Sequence, residues 1–351
     1  MSSELKVDTI SEKTSSGGVG ISDARVNLKS YTTTQREALS PSEGDMVYDT
    51  TLNKVYIYTT QWEEIESTPP WTATGGTKTT SGIYTIHTFT STGTLTVVGG
   101  GSKTVEFLVI AGGGSGGYGR GGGGGAGGYK SSVIGENSGD NSTILSTVSM
   151  SAGTYGMTVG AGGANGSTGN NTAGSNSVFD SGGVITTHTS TGGGQGGGWS
   201  TNGSSGGSGG GAGGQDAGSV TGGSGTANQG NDGSNANVQN ANSTCGAGGG
   251  ASQPGGAATS TRGGLGGAGQ ASAITGSSVT YAGGGGGGAD FRNTTKTTAA
   301  GGSGGGGTGG TGAGTDGTAN TGGGGGGGGY DGSSNNGGNG GSGVVIVRYQ
   351  T

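Results

Sequence analysis

The chain has 351 residues, of which 99 are glycine and only 26% are hydrophobic, even counting alanine, tyrosine and cysteine. An enzyme domain of this length needs nearly half its residues apolar to bury a core, and no stretch reaches the roughly 20 consecutive apolar residues of a membrane span. The net charge of −6 lacks the basic excess that phosphate backbones require, so we expect neither membrane insertion nor a nucleic-acid partner.

Residues 1–30 are predicted to form an extended arm. Short apolar pieces, including Val7 and Ile10, alternate there with serine, threonine and aspartate. Such a segment cannot bury a core by itself, so we expect it to become ordered on a partner. The first residues also lack the apolar centre of a signal peptide, and we expect no routine secretion.

Residues 31–68 are predicted to form a β-hairpin module. Thr33–Leu39 forms either a brief helical turn or an extended lead-in, and it ends at Ser40 because the residue before a proline disfavours helix. Two β-branched and aromatic runs within Gly44–Tyr58 flank a polar turn. An isolated hairpin is marginal in water, so we expect this module to dock on another protein or another copy. The candidate docking residues, with those of the arm, are Val7, Ile10, Val47, Tyr48, Tyr56 and Trp62.

Residues 69–81 are predicted to be a linker, and 82–351 a glycine-rich all-β domain. Strands are expected near 83–111, 146–188 and 344–349, closing into a small β-sandwich. The segments Thr104–Ala111 and Val344–Tyr349 are apolar on both faces, which predicts central strands. They bracket glycine-rich inserts at 112–145 and 189–343.

The inserts have two possible states. Only seven glycines precede residue 91, so 92 of the 99 follow it. Ordering a glycine costs about 0.5–1 kcal/mol more than ordering an alanine, so the inserts are either flexible linkers or a lattice with many compensating hydrogen bonds. The ordered form is the polyglycine version of the polyproline helix, with three residues per turn and N–H and C=O groups pointing sideways.

Two features favour this ordered form. Only Pro254 lies beyond Pro70, which excludes collagen and suits a structure in which every residue donates a hydrogen bond. Side chains recur at every third position in Gly263–Ala271. We therefore predict parallel rods of polyglycine II, including Gly322–Gly329, with turns at polar clusters such as Gly230–Ser243 and Asp331–Asn339.

Several segments resemble a known family. The strings TIHTFTSTGTLTVV, VEFLVIAGGGSGG, AGTYGMTVGAGG and GGSGVVIVRYQT resemble the glycine-rich domain of bacteriophage tail-fibre and adhesin proteins, whose inserts can form polyglycine-II sandwiches. SSELKVDTIS and SPSEGDMVYDTTLNKVYIYTTQWEEI are similar to segments of virion structural proteins, especially of marine phages.

This resemblance implies a virion appendage, often a homotrimer, assembled in the host cytoplasm. Its N-terminal part would attach to other virion proteins, and its distal loops would meet a host surface glycan or outer-membrane protein. The match covers nearly the whole chain, but the inserts match by composition only. No binding residue of the family maps onto this chain by motif.

No catalytic, cofactor or metal set is found in the sequence, and we predict a non-enzymatic protein without cofactors. The pattern G-x-G-x-x-G occurs by chance at this glycine content. His87 and His188 are expected on strand surfaces, without nearby partners for a metal. Cys245 is the only cysteine and is predicted to be inert.

Isolated aromatic residues remain in the glycine-rich sequence. They either pack locally against the rods or stack on sugar rings from distal loops. On the second interpretation the candidate receptor-contacting residues are Trp199, Phe291, Arg292, Tyr281 and Tyr330. The function predicted is host attachment by a phage appendage; the alternatives are a non-adhesive virion structural or decoration protein and an ice-binding polyglycine-II protein.

Overall fold

A computed structural model describes residues 28–65, 69–165, 169–214, 219–237, 243–292 and 296–351. The chain divides into two compact units, Met1–Thr68 and Pro69–Thr351. The described residues of both units form almost entirely β-strands and extended segments, so the all-β prediction is confirmed. Most of the predicted arm, with Val7 and Ile10, lies outside the described residues.

Within residues 28–65, the first unit forms a four-stranded sheet with one short helix. Strands β2, β3 and β4 are antiparallel neighbours, and β1 pairs in parallel with β2. The helix begins after Thr32, whose side chain forms a reciprocal capping box with Gln35. The expected hairpin is therefore present, but it is flanked by two further strands. The elements are β1 (Lys29–Tyr31), α1 (Thr33–Glu37), β2 (Met46–Asp49), β3 (Lys54–Tyr58) and β4 (Trp62–Glu64).

A buried ion pair holds the helix against this sheet. The Arg36 guanidinium lies 3.9 Å from the centroid of the Tyr56 ring, and its Nε is 3.0 Å from Oδ2 of Asp49. Val47 and Tyr56 are only 5% and 9% exposed. Val47 and Tyr56 thus belong to the unit's own core, whereas Tyr48 and Trp62 are half-buried; the docking role of all four stays a prediction.

The second unit contains two main sheets and a small hairpin. One sheet has the strand order β10-β9-β17-β7-β6, with β11 also paired to β9, and the other has the order β14-β13-β12-β8-β5; β15 and β16 pair separately. The 3-10 turn Gly139–Asn141 follows β10. The strands are β5 (Thr72–Thr74), β6 (Thr77–Ser81), β7 (Tyr84–Phe89), β8 (Gly93–Val98), β9 (Lys103–Ile110), β10 (Tyr129–Ser131), β11 (Val148–Met150), β12 (Gly153–Thr158), β13 (Ser177–Phe179), β14 (His188–Ser190), β15 (Gln270–Ser272), β16 (Val279–Tyr281) and β17 (Val344–Gln350).

The stretch 69–81, predicted as a linker, carries two edge strands instead. β5 pairs with β8, and β6 pairs with β7 along its whole length. These strands are rich in exposed threonine, with Ala73 as the buried apolar residue, so they lack the alternating apolar pattern that marks a strand.

The two-sided strands β9 and β17 lie side by side at the centre of their sheet, as predicted. They are antiparallel, with Ile110 opposite Val344. One face, including Phe107 and Val345, packs against the second sheet, and the other, including Leu108 and Ile346, packs against the glycine-rich segments. β9 therefore serves two cores at once.

The glycine-rich segments form the predicted rods. From the segment 112–117, successive N–H groups donate in turn to three different neighbours, and the pattern repeats every third residue. The bonds run from Gly112 and Ser115 to the carbonyls of Ser175 and Thr172, from Gly113 and Gly116 to those of Gly341 and Gly338, and from Gly114 and Gly117 to those of Gly125 and Gly122. Three residues per turn with sideways hydrogen bonds is the geometry of polyglycine II.

The rod 121–128 is surrounded by six others. It donates to 322–328, 191–197 and 246–249, and it accepts from 111–117, 208–211 and 285–288, mostly at N···O distances of 2.7 to 3.0 Å. A Cβ on Gly124 would lie closer than 3.0 Å to the carbonyl oxygen of Gly114. Glycine is required here because the neighbouring backbones occupy the space of a side chain.

The predicted turns at polar clusters are only partly correct. Ser234 donates to the carbonyl of Ala247 within a rod, and 335–341 form a rod beside 113–119. Asparagine and aspartate are accommodated at rod edges, where their oxygens replace a missing carbonyl: Asn202 accepts from the Thr221 N–H, and Asn235 from that of Gly222. Residues 238–242 of the first cluster lie outside the described part.

Candidate functional site

The candidate site lies where the rods reverse direction, at the end away from the sandwich. Rod 111–117 starts directly after β9 and rod 191–197 directly after β14, so both run outward from the sandwich. At about 3.1 Å per residue, seven residues extend roughly 20 Å. We call this end of the rods the tip.

Five residues from four reversals meet at the tip. Arg120 follows rod 111–117, Trp199 follows 191–197, Asp290 and Arg292 follow 282–288, and Tyr330 follows 322–329. Their side chains are in contact, as described below. We call these five residues the tip cluster.

Arg120 is the centre of the tip cluster. Its guanidinium lies 5.3 Å from the centroid of the Trp199 ring and 4.9 Å from that of Tyr330, and its Nη2 is 2.9 Å from Oδ2 of Asp290. Arg120 is buried, with a positive φ of 54°. A cation between two aromatic rings, paired with a buried carboxylate, fixes the relative position of four reversals.

Asp290 holds a second arginine on the solvent side. Arg292 donates from Nε to Oδ1 at 3.1 Å and from Nη2 to Oδ2 at 2.7 Å, and its guanidinium lies 4.7 Å from the Tyr330 ring centroid. Burial alone would raise the pKa of Asp290, but the Arg292 hydrogen bonds and the Arg120 charge outweigh it and lower that pKa. The carboxylate stays ionised, with two cations around it.

Two reactive side chains near the tip cluster, Lys296 and Cys245, are buried. Lys296 is buried and donates to the Ser243 carbonyl at 3.2 Å, and burial lowers its pKa although Asp290 opposes this. Burial raises the pKa of Cys245 to about 12. A protonated, buried thiol is a poor nucleophile, in keeping with the inert cysteine that we predicted.

The structure brings together three of the five predicted contact residues. Trp199, Arg292 and Tyr330 belong to the tip cluster, and Phe291 adjoins them, its N–H bonded to the Tyr330 carbonyl at 2.7 Å. Tyr281 does not: it is 7% exposed and packs in the core below the main sheet. It lies at the sandwich end of its rod, outside the tip cluster, and its receptor contact stays a prediction.

Sequence reasoning missed Arg120 and Asp290. Arg120 stands alone between glycines, and Asp290 precedes Phe291 and Arg292. An isolated charge within glycine-rich sequence was the available signal, because such a charge needs a partner when its segment is packed.

The two histidines belong to the sandwich. His87 is fully buried, with Nδ1 2.7 Å from the Gly75 carbonyl and Nε2 3.3 Å from the Tyr349 hydroxyl, so its predicted surface position is wrong. His188 is half-buried, with its ring centroid 4.5 Å from that of Phe107. Burial lowers the pKa of both.

Two absences hold for the part of the chain that the structure describes. Its His, Cys, Asp and Glu side chains form no group of three or more that could hold a metal ion. None of its helices is long and apolar enough to cross a membrane.

The glycine-rich part of the chain matches a known protein family. A family model described as a glycine-rich domain matches residues 88–350, which hold both central strands and all the rods. No curated protein matches the chain.

Proposed function

The chain belongs to the glycine-rich domain family, and on that premise we propose that it is a component of a bacteriophage tail fibre or related virion appendage that attaches the particle to the host cell surface. The main support for this proposal is the tip cluster. Aromatic and arginine side chains from four reversals gather at one end of a rigid rod bundle, and Trp199 remains 57% exposed there.

The arrangement suits attachment for a physical reason. The rods are fixed by backbone hydrogen bonds and present few side chains of their own, so recognition chemistry concentrates on the reversals. A rigid scaffold with side chains at loop tips reduces the entropy lost on binding. An exposed indole supplies a large apolar contact, which makes Trp199 the first candidate for a receptor contact.

The remaining parts of the proposal rest on the resemblance to virion proteins. The N-terminal unit attaches the chain to other virion proteins, with Tyr48 and Trp62 as the half-buried candidates on its sheet. The assembly is a homotrimer, formed in the host cytoplasm and carried on the particle. The receptor is a surface glycan or an outer-membrane protein.

The test replaces Trp199 and Phe291 together by alanine in particles that carry the chain. We expect slower adsorption to host cells with normal particle yield and morphology. Val184→Ala is the matched control, because Val184 is 53% exposed but lies in a sandwich loop between β13 and β14. Unchanged adsorption of the double variant would favour a decorating role and overturn the proposal. Imaging that locates a label on the tip within the body of the particle would have the same consequence.

A further inference from the structure

The rod 221–226 lies at a lateral edge of the bundle. Its N–H groups form three rows, because each hydrogen-bonding direction recurs after three residues. One row points inward: Gly223 is buried, and Gly223 and Thr226 donate to carbonyls of the segment 207–210 at 2.8 and 3.0 Å. This row joins the rod to the bundle by ordinary backbone hydrogen bonds.

The other two rows donate to side-chain oxygens instead of carbonyls. In each row the two acceptor residues are themselves three positions apart, so these acceptors follow the repeat of the rods. Thr221 and Ser224 donate to Asn202 Oδ1 and Ser205 Oγ at 2.9 and 3.2 Å, and Gly222 and Gly225 donate to Asn235 Oδ1 and Asp232 Oδ1 at 3.0 and 2.8 Å. We call these four side chains, of Asn202, Ser205, Asp232 and Asn235, the edge caps.

An open groove runs beside one of the capped rows. Its volume is about 550 Å³, and it is lined by residues from the segments 222–224, 232–237 and 255–258, which include the caps Asp232 and Asn235. Inside the bundle, the space between neighbouring rods is filled by another rod, as 121–128 fills the space among its six neighbours. The groove therefore has the surroundings of an unfilled lattice position.

We propose that the edge caps prevent this edge from pairing with a rod of a second copy of the chain. A bare row of N–H groups at three-residue spacing would match the carbonyl row of any polyglycine II rod, just as an unpaired sheet edge matches another strand. The caps bond these donors within the chain and act at a high effective concentration. A second copy would have to break hydrogen bonds that already exist.

The experiment compares wild type with the pair Asp232→Ala and Asn235→Ala, which removes both acceptors of the row in the groove. Sedimentation velocity of the full chain over a wide range of protein concentration measures self-association. Two freed N–H groups that each gain a carbonyl of another copy should tighten self-association about fivefold to hundredfold. At low concentration, where the variant is dispersed, the amides of Gly222 and Gly225 should exchange hydrogen faster than in wild type.

Three further pairs assign the effect. Asp232→Asn with Asn235→Asp keeps an Oδ1 atom at both positions and the same net charge, so it should behave as wild type. Asn202→Ala with Ser205→Ala uncaps the other row and should also increase self-association. Thr221→Ala with Asn170→Ala is the matched control, because it removes two exposed polar side chains that are not edge caps.

Thermal unfolding of each variant verifies that it folds; if the first pair does not, Asn202→Ala with Ser205→Ala decides. Self-association and amide exchange equal to wild type in an uncapped pair overturn the inference. An equal increase in the swapped pair or in the control overturns it as well, since the missing acceptor would then not be the cause. These outcomes are independent of the adsorption test.

Discussion

Gly124→Ala tests whether the rods are held as a close-packed lattice. Gly124 is in the central rod; its N–H donates to the Gly325 carbonyl at 2.8 Å, and its carbonyl accepts from the Gly285 N–H at 2.8 Å. The new methyl group would overlap the Gly114 carbonyl. Rod 111–117 must then move, or the two hydrogen bonds of Gly124 must break.

The expected cost follows from these contacts. Overpacking costs about 1–3 kcal/mol, and each broken hydrogen bond adds about 0.5–1.5 kcal/mol, so together they destabilise the folded state by about 2–6 kcal/mol. The smaller backbone entropy of alanine in the unfolded chain offsets about 0.4–1 kcal/mol of this. The loss is a large part of the stability of a typical domain, about 5–15 kcal/mol.

The assay is urea unfolding of the full chain, together with hydrogen exchange of the 121–128 amides. Gly312→Ala is the control, because the nearest atom to its Cβ, the Asn335 Oδ1, is 4.0 Å away and its φ is not positive. We expect Gly312→Ala to change stability by less than about 0.5 kcal/mol. If both variants unfold at the wild-type urea concentration with equal protection of these amides, the lattice argument is refuted.

Three other predictions concern buried groups. The Cys245 thiol, with a pKa of about 12, should resist alkylation by iodoacetamide near pH 8 until the chain is unfolded; rapid labelling of folded protein would contradict its burial. Burial lowers the pKa of His87 below its ordinary 6.5. The unfolded state therefore takes up a proton first as pH falls, and stability should decrease below pH 6.5. His87→Gln should flatten this pH dependence of the urea midpoint, and an unaltered slope would disprove the assignment. Although burial opposes it, hydrogen bonds from Leu52, Arg36, Thr33 and Thr51 lower the pKa of Asp49 below 3.8. The stability that this carboxylate contributes is present above pH 3.8 and should be lost as pH falls through the lowered value. The loss should appear as disappearance of the native NMR signals of β2 and β3, and Asp49→Asn should lack this transition.

Side-chain patterns explain which parts of the fold could be predicted. β9 and β17 carry apolar residues on both faces, and that pattern fits only a central strand. β5 and β6 are threonine-rich edge strands without such a pattern. The position of His87 depends on Gly75, 12 residues before it, and on Tyr349, 262 residues after it, so strand alternation alone did not place it inside.

The rods could be predicted as a class but not in their arrangement. The near-absence of proline and the spacing of three indicate polyglycine II, yet glycine has no side chain that specifies which rod lies beside which. For the same reason the contact between Arg120 and Asp290 was not foreseeable, since it depends on the rod order. Trp199 and Arg292 were identifiable because each is a large side chain isolated in glycine-rich sequence. Tyr281 has the same local sequence character but lies at the opposite end of its rod.

The threefold repeat of the rods also governs how the molecule can change in length. Each hydrogen-bonding direction recurs after three residues, so a rod lengthened by three residues keeps the direction of every donor and grows by about 9 Å. An insertion of one or two residues would instead point each donor at the wrong neighbour. Variants of this chain whose rod bundles differ in length should therefore differ by multiples of three residues per rod. Sequence changes in the reversals should leave the lattice undisturbed.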